Sequence, residues 1–235
     1  MSAVNFVGGE KGGVGKSVVS RLIAQYFIDH KIPFLGFDTD RSHASFQRFY
    51  GSFADRTVID DYASLDRIAE AITDDPNRQI LVDLAAQTMP PLSRWIEDSG
   101  LVSLLAEQHI PVRFWHVMDD GMDSLSQLGK LLTRYGASVS YVIVLNHGRG
   151  TDFGSFHNSE IKRTAISYGA SIIELRCLHE TSMRKIDRLN ASFWAAVNHR
   201  GTDESLGLLE RQRVKIWLAR TYEDLGKVIN NKAKS

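Results

Sequence analysis

The sequence predicts an α/β fold with a mostly parallel, twisted sheet that carries helices on both faces. Three observations predict it: apolar runs alternate with helical segments, the runs are continuously apolar, and a glycine-rich turn directly follows the first run. Continuous apolar strands are typical of parallel sheets that are buried on both faces. The chain has 235 residues, of which 43% are hydrophobic. We therefore expect a single domain over residues 1–235, with a helical C-terminal part at about 180–230.

The predicted elements follow in order from these patterns. Apolar runs predict strands at residues 3–8, 32–37, 79–84, 111–117, 141–145 and 171–175. Helical spacing of apolar residues predicts helices at 18–30, 65–72, 92–107, 125–135, 159–168 and 206–229. On the last helix most apolar residues share one side, which predicts a buried stripe of Leu209, Val214, Ile216, Trp217, Leu218, Tyr222, Leu225 and Ile229.

The turn between the first strand and the first helix reads GGEKGGVGKS, from Gly8 to Ser17. Backbone N–H groups in such a turn point at one anion, and the helix N-terminus adds a favourable dipole. We therefore expect a phosphate site in which Lys16 contacts the β- and γ-phosphates and the hydroxyl of Ser17 holds Mg²⁺. The predicted nucleotide-contacting residues of the loop are Gly12, Gly13, Val14, Gly15, Lys16, Ser17 and Val18.

The strict form of this motif has a glycine where the chain has Glu10, and the loop instead matches a variant, KGGVGKS, that begins with Lys11. In this respect the chain resembles the ParA/MinD family of deviant-Walker P-loop ATPases. The resemblance implies a P-loop NTPase fold of the ParA-like (SIMIBI) type, ATP and Mg²⁺ as cofactors, and a homodimer bridged by ATP. In that family the lysine at the position of Lys11 reaches the phosphates held by the other subunit, which makes Lys11 a candidate catalytic residue beside Lys16.

Acidic residues end two of the apolar runs: Asp38 and Asp40 follow the second run, and Asp83 follows the third. Because buried carboxylates are costly and strand ends line the ligand crevice of open α/β sheets, we expect the three to converge there. The resemblance implies that Asp40 is a catalytic residue that orients the attacking water, and that Asp38 and Asp83 support Mg²⁺ together with Ser17. Taken singly, each aspartate is equally compatible with a strand-end cap or a turn residue.

Asn146 ends a further apolar run, and its amide offers one donor and one acceptor to an adenine edge. The resemblance favours this nucleotide-binding role, whereas a cap before the turn at 148–150 is the alternative. The loop at 147–158 that follows carries Phe153 and Phe156. A loop of this length either closes over the nucleotide or is fixed to the core by its two phenylalanines.

Three stretches resemble more narrowly the conjugal-transfer and mobilisation branch of the family, the TraL-like proteins: DTDRSHASF, LVDLAAQTMPPLSRWI and RQRVKIWLARTYEDL. Two features depart from the pattern of the wider family. Asp40 is not followed by Pro-Gln, and the run after Asp83 lacks the proline of the usual switch segment. These departures bear on the rate of hydrolysis and leave the phosphate cradle intact.

The resemblance implies an ATP-binding, slowly ATP-hydrolysing dimerisation switch that positions or partitions a large cargo, such as plasmid DNA or a conjugal-transfer complex. Its expected partner is an unidentified activating or cargo protein. A nucleotide-binding adaptor with little hydrolysis is one alternative, and a metabolic P-loop ligase or synthetase of the same superfamily is another. Candidate substrate residues for the latter are His43, His109, His116, His147, His157 and His179. The lone Cys177, deep in a predicted strand–helix junction, gives little support to an iron–sulfur cluster.

Charge and hydropathy set the expected partners and location. Lys+Arg and Asp+Glu are equal at 28 each, so the composition does not indicate nucleic acid or a membrane. The last helix nevertheless carries a basic face that suits non-specific DNA, or simply solvent, formed by Arg211, Arg213, Lys215, Arg220 and Lys227.

The termini and the apolar runs favour the cytoplasm. The first strand begins within a few residues of the N-terminus without a preceding secretion signal, and no apolar run approaches the roughly 20 residues that span a bilayer. The tail at 230–235 lacks the bulky apolar residues of a membrane-targeting helix. A single cysteine suits a reducing compartment. We therefore expect a cytoplasmic protein without integral membrane association.

Overall fold

The computed structural model describes residues 2–9, 11–41, 44–75, 77–200 and 205–230. The strands are β1 Ala3–Gly8, β2 Phe34–Asp38, β3 Ala54–Arg56, β4 Gln79–Asp83, β5 Val112–Met118, β6 Ser140–Asn146 and β7 Ser171–Leu175. The helices are α1 Lys16–Asp29, α2 Ser45–Tyr50, α3 Tyr62–Asp74, α4 Met89–Asp98, α5 Leu101–Glu107, α6 Met122–Tyr135, α7 Gly154–His157, α8 Glu160–Ser167, α9 Glu180–Arg188, α10 Phe193–Asn198 and α11 Leu208–Ile229.

The strands form one seven-stranded sheet in the order β3-β2-β4-β1-β5-β6-β7. Every neighbouring pair is parallel, so all the strands end at the same edge. At that edge Asp83 of β4 lies opposite Asp38 of β2 on one side and opposite Val7 of β1 on the other. The predicted fold class is therefore confirmed, and its register brings the residues after β1, β2 and β4 together.

Helices cover both faces of the sheet and enclose two apolar cores. One core packs α3, α4, α5, α6 and α8 against one face, with Leu65, Trp95 and Leu128 among its fully buried side chains. The other core packs α1, α2, α9, α10 and α11 against the opposite face, with Phe27 and Phe193 at its centre. Each strand therefore sends alternate side chains into two different cores, which explains the continuous apolar runs of the sequence.

The sequence missed an edge strand and a short helix. Strand β3 has three residues, of which Asp55 and Arg56 are exposed, so it carries no apolar run. Helix α2 has six residues and begins just after β2. A carboxylate oxygen of Asp38 accepts a hydrogen bond from the backbone N–H of Gln47, 2.9 Å away, inside the first turn of α2. This contact between elements is not visible in a local sequence pattern.

The prediction of one helix at 92–107 was wrong, because the segment forms two helices, α4 and α5. The chain turns at Gly100, whose φ of +60° lies in the left-handed region that glycine adopts without strain. The backbone N–H groups of Ser99 and Gly100 close the end of α4 on the carbonyls of Trp95 and Glu97. The apolar pattern continues across the break because both helices pack on the same core.

The apolar stripe of α11 was predicted only in part. Val214, Trp217, Leu218 and Leu225 are buried as expected. Leu209 and Ile216 were wrongly included, since 69% and 42% of their surfaces are exposed. Within the described ranges, the model contains no helix that is both long and apolar enough to span a bilayer. Residues 231–235, on which the prediction about a membrane-targeting tail depended, lie outside those ranges.

Candidate nucleotide-binding site

The loop between β1 and α1 curls around its own lysine. Lys16 is the first residue of α1, and its ammonium group donates to the carbonyl oxygen of Lys11 at 3.0 Å. Val14 is buried, whereas Gly12 and Gly13 are exposed along the turn. Gly9 has φ +151°, and a Cβ there would lie 2.4 Å from the carbonyl oxygen of Val117, so the entry to the loop excludes any side chain.

The N-terminus of α1 is open toward the loop. Gly15 is its cap residue, with φ +102° and no side-chain hydrogen bond. The carbonyl of Gly15 accepts from the backbone N–H groups of Val18 and Val19, which closes the first turn. No acidic residue lies in that turn, so the positive end of the helix is not neutralised by a carboxylate of its own. Ser17, half-buried, projects from the same turn.

Two buried carboxylates lie side by side at the strand ends, next to this turn. Asp83 accepts from the hydroxyl of Ser20 at 2.8 Å, and Asp38 accepts from the backbone N–H groups of Asp40 and Gln47. Burial raises the pKa of Asp83 to about 7, and the charge of Asp38 raises it further, while the hydroxyls of Ser20 and Ser17 oppose the shift. Burial likewise raises the pKa of Asp38. Such a pair is electrostatically unfavourable without a cation.

Thr39 joins the segments that follow β2 and β4, a role that the sequence did not predict. Its backbone N–H and its hydroxyl both donate to the carbonyl of Asp83, at 3.1 and 3.0 Å. The same hydroxyl accepts from the backbone N–H of Ala85 at 2.8 Å. Asp40 follows, half-buried, and its carbonyl accepts from Ala44. The predicted water-orienting residue thus lies one position beyond a bridge that fixes both strand ends.

Lys11 contacts an acidic residue that the sequence did not single out. Its ammonium group lies 2.6 Å from a carboxylate oxygen of Asp119, which follows β5. Asp119 also accepts from the hydroxyl of Ser124 and from the backbone N–H of Gly121. Burial alone would raise the pKa of Asp119, but the hydrogen bonds from Lys11 and Ser124 lower it. In the single chain Lys11 is therefore held at the mouth of its own loop.

Asn146 braces the phosphate loop. Its side-chain N–H₂ donates to the carbonyl of Val14 at 2.7 Å, and its oxygen accepts from the backbone N–H of Gly148 at 3.0 Å. The side chain is buried, and a Cβ on Gly15 would lie 2.3 Å from its nitrogen. Both polar groups of the amide are thus engaged within the chain. The adenine-reading role stays a prediction, and it requires that the amide exchange at least one of these bonds.

The loop at 147–158 is anchored to the protein and contains helix α7. Phe153 and Phe156 are buried in the core on the α6 side, which matches the second of the two roles considered for them. A carboxylate oxygen of Asp120 accepts from the backbone N–H groups of Thr151 and Asp152. These contacts fix the loop from both sides.

The candidate substrate histidines do not converge among the residues that the structure describes. His116 is buried on β5 and bonds the carbonyl of Ser124, His147 pairs with Glu174, and His43 lies outside the described ranges. Cys177 is exposed, so its expected burial is wrong. In those ranges there is also no group of three or more His, Cys, Asp or Glu side chains placed to hold a metal. The predicted Mg²⁺ ligands are two carboxylates and a hydroxyl, a set of a different kind.

Comparisons with known proteins agree with the loop motif and the topology. No family model matches the chain. Protein TraL from Escherichia coli is 28% identical over 239 residues, which cover 96% of this chain and 98% of that protein. The MinD cell division protein of Aquifex aeolicus has the same fold, with a TM-score of 0.60, 12% identity and 98% of each chain covered. The septum site-determining protein MinD of Pyrococcus horikoshii, solved with Mg-ADP, gives a TM-score of 0.57 at 14% identity over 100% of both chains.

Proposed function

This chain belongs to the ParA/MinD family of P-loop ATPases, in a TraL-like branch, and we propose that it is an ATP-operated dimerisation switch. Two chains bind ATP face to face, and slow hydrolysis, stimulated by a partner protein, separates them. The observation that carries the proposal is the arrangement around the loop. The lysines Lys11 and Lys16, the open end of α1 and the buried pair Asp38 and Asp83 all meet at one edge of the sheet.

The residues present fit a magnesium nucleotide. Mg²⁺ prefers oxygen ligands from one or two carboxylates together with phosphates, and Asp38, Asp83 and Ser17 provide such oxygens beside the loop. The raised pKa of Asp83 supports this, because a buried carboxylate close to another one favours a nearby cation. Bound Mg²⁺ neutralises phosphate charge during transfer.

The chain's own groups then have distinct roles. The N–H groups of the loop and the N-terminus of α1 hold the phosphates, and Lys16 turns from the carbonyl of Lys11 to the β- and γ-phosphates. Asp40 orients the attacking water. Lys11 leaves Asp119 and contributes its charge to the nucleotide of the twin subunit. The bound γ-phosphate is thus required for the paired state, which is how a ligand shifts such an equilibrium.

The dimer's purpose is to position or partition a large cargo. The likeness to Protein TraL supports a conjugal-transfer complex or plasmid DNA as that cargo. An adaptor that binds ATP but scarcely hydrolyses it remains the second candidate, because the segment after Asp83 lacks a switch proline. Turnover distinguishes the two: a switch loses its ATP hydrolysis in Lys16→Ala and Asp40→Ala, whereas an adaptor shows the same negligible rate in all three proteins.

The decisive experiment is sedimentation velocity with Mg²⁺ and a nonhydrolysable ATP analogue. The native chain should form a dimer that depends on the analogue. Lys11→Ala should stay monomeric and still bind a fluorescent ATP analogue, because Lys16 and the loop are intact. Lys162→Ala, which removes an exposed lysine on α8, serves as the control and should dimerise. A normal analogue-bound dimer in Lys11→Ala would refute the trans role of this lysine.

Non-specific DNA binding is supported by the outer face of α11. Arg213, Lys215 and Arg220 are exposed there, whereas Arg211 donates to the carbonyl of Leu206 and contributes less than the sequence predicted. We expect Arg213→Glu/Lys215→Glu to weaken duplex DNA binding and to reduce its salt dependence by about two charges. The control is charge reversal at Lys162 and Arg163, two neighbouring basic residues on the opposite side of the sheet. Equal binding by both variants would eliminate the α11 face as a DNA site.

A further inference from the structure

A cavity of 260 Å³ lies between α4 and α6, against the sheet. Gly8 and Gly9, where the phosphate loop begins, form one wall, and Met89 and Pro90 at the start of α4 form another. The nucleotide-site residues Lys16, Asp38, Asp83 and Asn146 do not line it. Its volume is close to the lower end of the range of small-molecule pockets, about 300–1,000 Å³.

The floor of the cavity is uncharged and largely apolar. Phe114 and His116, neighbours on the same face of β5, are 2% and 4% exposed. The ring of His116 donates to the carbonyl of Ser124 at 3.0 Å, and burial lowers the pKa of this histidine to about 4. It is therefore neutral at physiological pH. Such a floor accommodates an apolar body and does not attract a fully hydrated polyanion such as the nucleotide.

The mouth of the cavity carries an unbalanced positive charge. Gln127, Lys130 and Arg134 follow one another along α6 and line the opening. Arg134 is engaged by Glu97 through two hydrogen bonds, of 2.6 and 3.0 Å. Lys130 is exposed, and within the described residues no acidic side chain pairs with it. A negatively charged headgroup at the mouth would compensate that charge.

We propose that this cavity binds a small amphipathic anion, with an apolar body on Phe114 and a single carboxylate or similar headgroup at Lys130. The site goes beyond the nucleotide switch. It also contacts the two segments that a nucleotide must order, because Gly9 opens the phosphate loop and α4 begins six residues after Asp83. Its occupant therefore contacts the P-loop and the switch helix from behind.

The test uses octanoate as the probe, titrated into the full-length chain by calorimetry without nucleotide, and 1-octanol as its uncharged counterpart. We expect one octanoate per chain and about a tenfold weaker affinity for octanol, the factor expected when one charge-assisted contact is lost. Lys130→Gln should abolish the preference for octanoate while keeping octanol binding. Because nucleotide is absent, failure of this test would leave the proposed ATPase function standing.

Two tryptophan substitutions on α6 localise the binding. Gln127→Trp fills the opening and should eliminate octanoate binding, whereas Thr133→Trp, on an exposed side of the helix away from the cavity, should leave it unchanged. Circular dichroism and urea midpoints verify that both variants fold. The proposal is overturned if the native chain does not bind octanoate, if Gln127→Trp binds it as well as the native chain, or if Lys130→Gln retains the preference.

Discussion

Gly15 and Asn146 form a contact whose energy can be isolated by substitution. In Gly15→Ala the new methyl group would lie 2.3 Å from the side-chain nitrogen of Asn146, so the amide must leave the carbonyl of Val14. Backbone strain at φ +102° costs about 2 kcal/mol. The unsatisfied buried carbonyl adds about 2 kcal/mol. We therefore expect Gly15→Ala to lower the free energy of unfolding by about 4 kcal/mol.

Asn146→Ala breaks the same hydrogen bond without the strain, and should cost about 2 kcal/mol. In the double variant the bond is lost only once, so the total should be about 4 kcal/mol instead of the additive 6. The coupling energy is thus about 2 kcal/mol. Gly13 provides a matched control, because it has φ +81° in the same loop and its added Cβ would meet no atom within 4 Å. Gly13→Ala and Asn146→Ala should be additive.

The assay is urea unfolding without nucleotide, followed by tryptophan fluorescence and by far-ultraviolet circular dichroism, whose coincidence tests two-state behaviour. Additivity of Gly15→Ala and Asn146→Ala within about 0.5 kcal/mol would refute the reasoning. It would mean that the amide does not depend on the absence of a Cβ at this position. Coupling of equal size in the Gly13 cycle would refute it too, because the effect would then belong to the loop as a whole.

Two further predictions concern buried charge. His116 is neutral when folded, with its pKa lowered to about 4 by burial, and takes up a proton below about 6.5 when unfolded, so stability should fall from pH 7 toward pH 4 by roughly 3 kcal/mol. His116→Asn should flatten this fall in urea titrations across that range, and parallel curves for the two proteins would contradict it. Arg21 is buried against two phenylalanines and pairs with Asp187 at 2.7 Å. Asp187→Asn should therefore lower the unfolding free energy by about 2 kcal/mol, less than for a fully buried pair because Asp187 is 44% exposed. Asp224→Asn, in an exposed pair, should leave the urea midpoint unchanged, and equal midpoints in all three proteins would argue against a stabilising role for the Arg21 pair.

The sequence predicts the site best where it depends on topology. Parallel strands end at one edge, so acidic residues after two apolar runs had to come close if those strands were neighbours. The register confirms this by pairing Asp38 with Asp83. The β1–α1 loop was equally accessible, because its glycines and lysines are local and their spacing carries the chemistry. Their assigned catalytic and metal-binding roles stay predictions.

Contacts between distant segments escaped the sequence reasoning for a physical reason. Thr39 and Asn146 look like ordinary strand-end residues, and only the folded chain shows that they fix Ala85 and Val14. The side of a long helix is also poorly determined when apolar residues occur all around it. Ile216 and Trp217 are adjacent and so lie about 100° apart around α11. Only one of them reaches the core.

Asp119 is the most consequential of the missed residues, because it determines where Lys11 lies before any partner arrives. It is separated from Lys11 by more than a hundred residues, within a turn whose aspartates a sequence reading assigns to capping. The lysine end of the pair is 41% exposed, so water screens the attraction and the contact orients Lys11 more than it locks it. A triphosphate carries several charges and accepts more hydrogen bonds than one carboxylate does, so it competes effectively for this lysine. The pair therefore keeps Lys11 at the edge of the site, from which transfer to the twin subunit costs little.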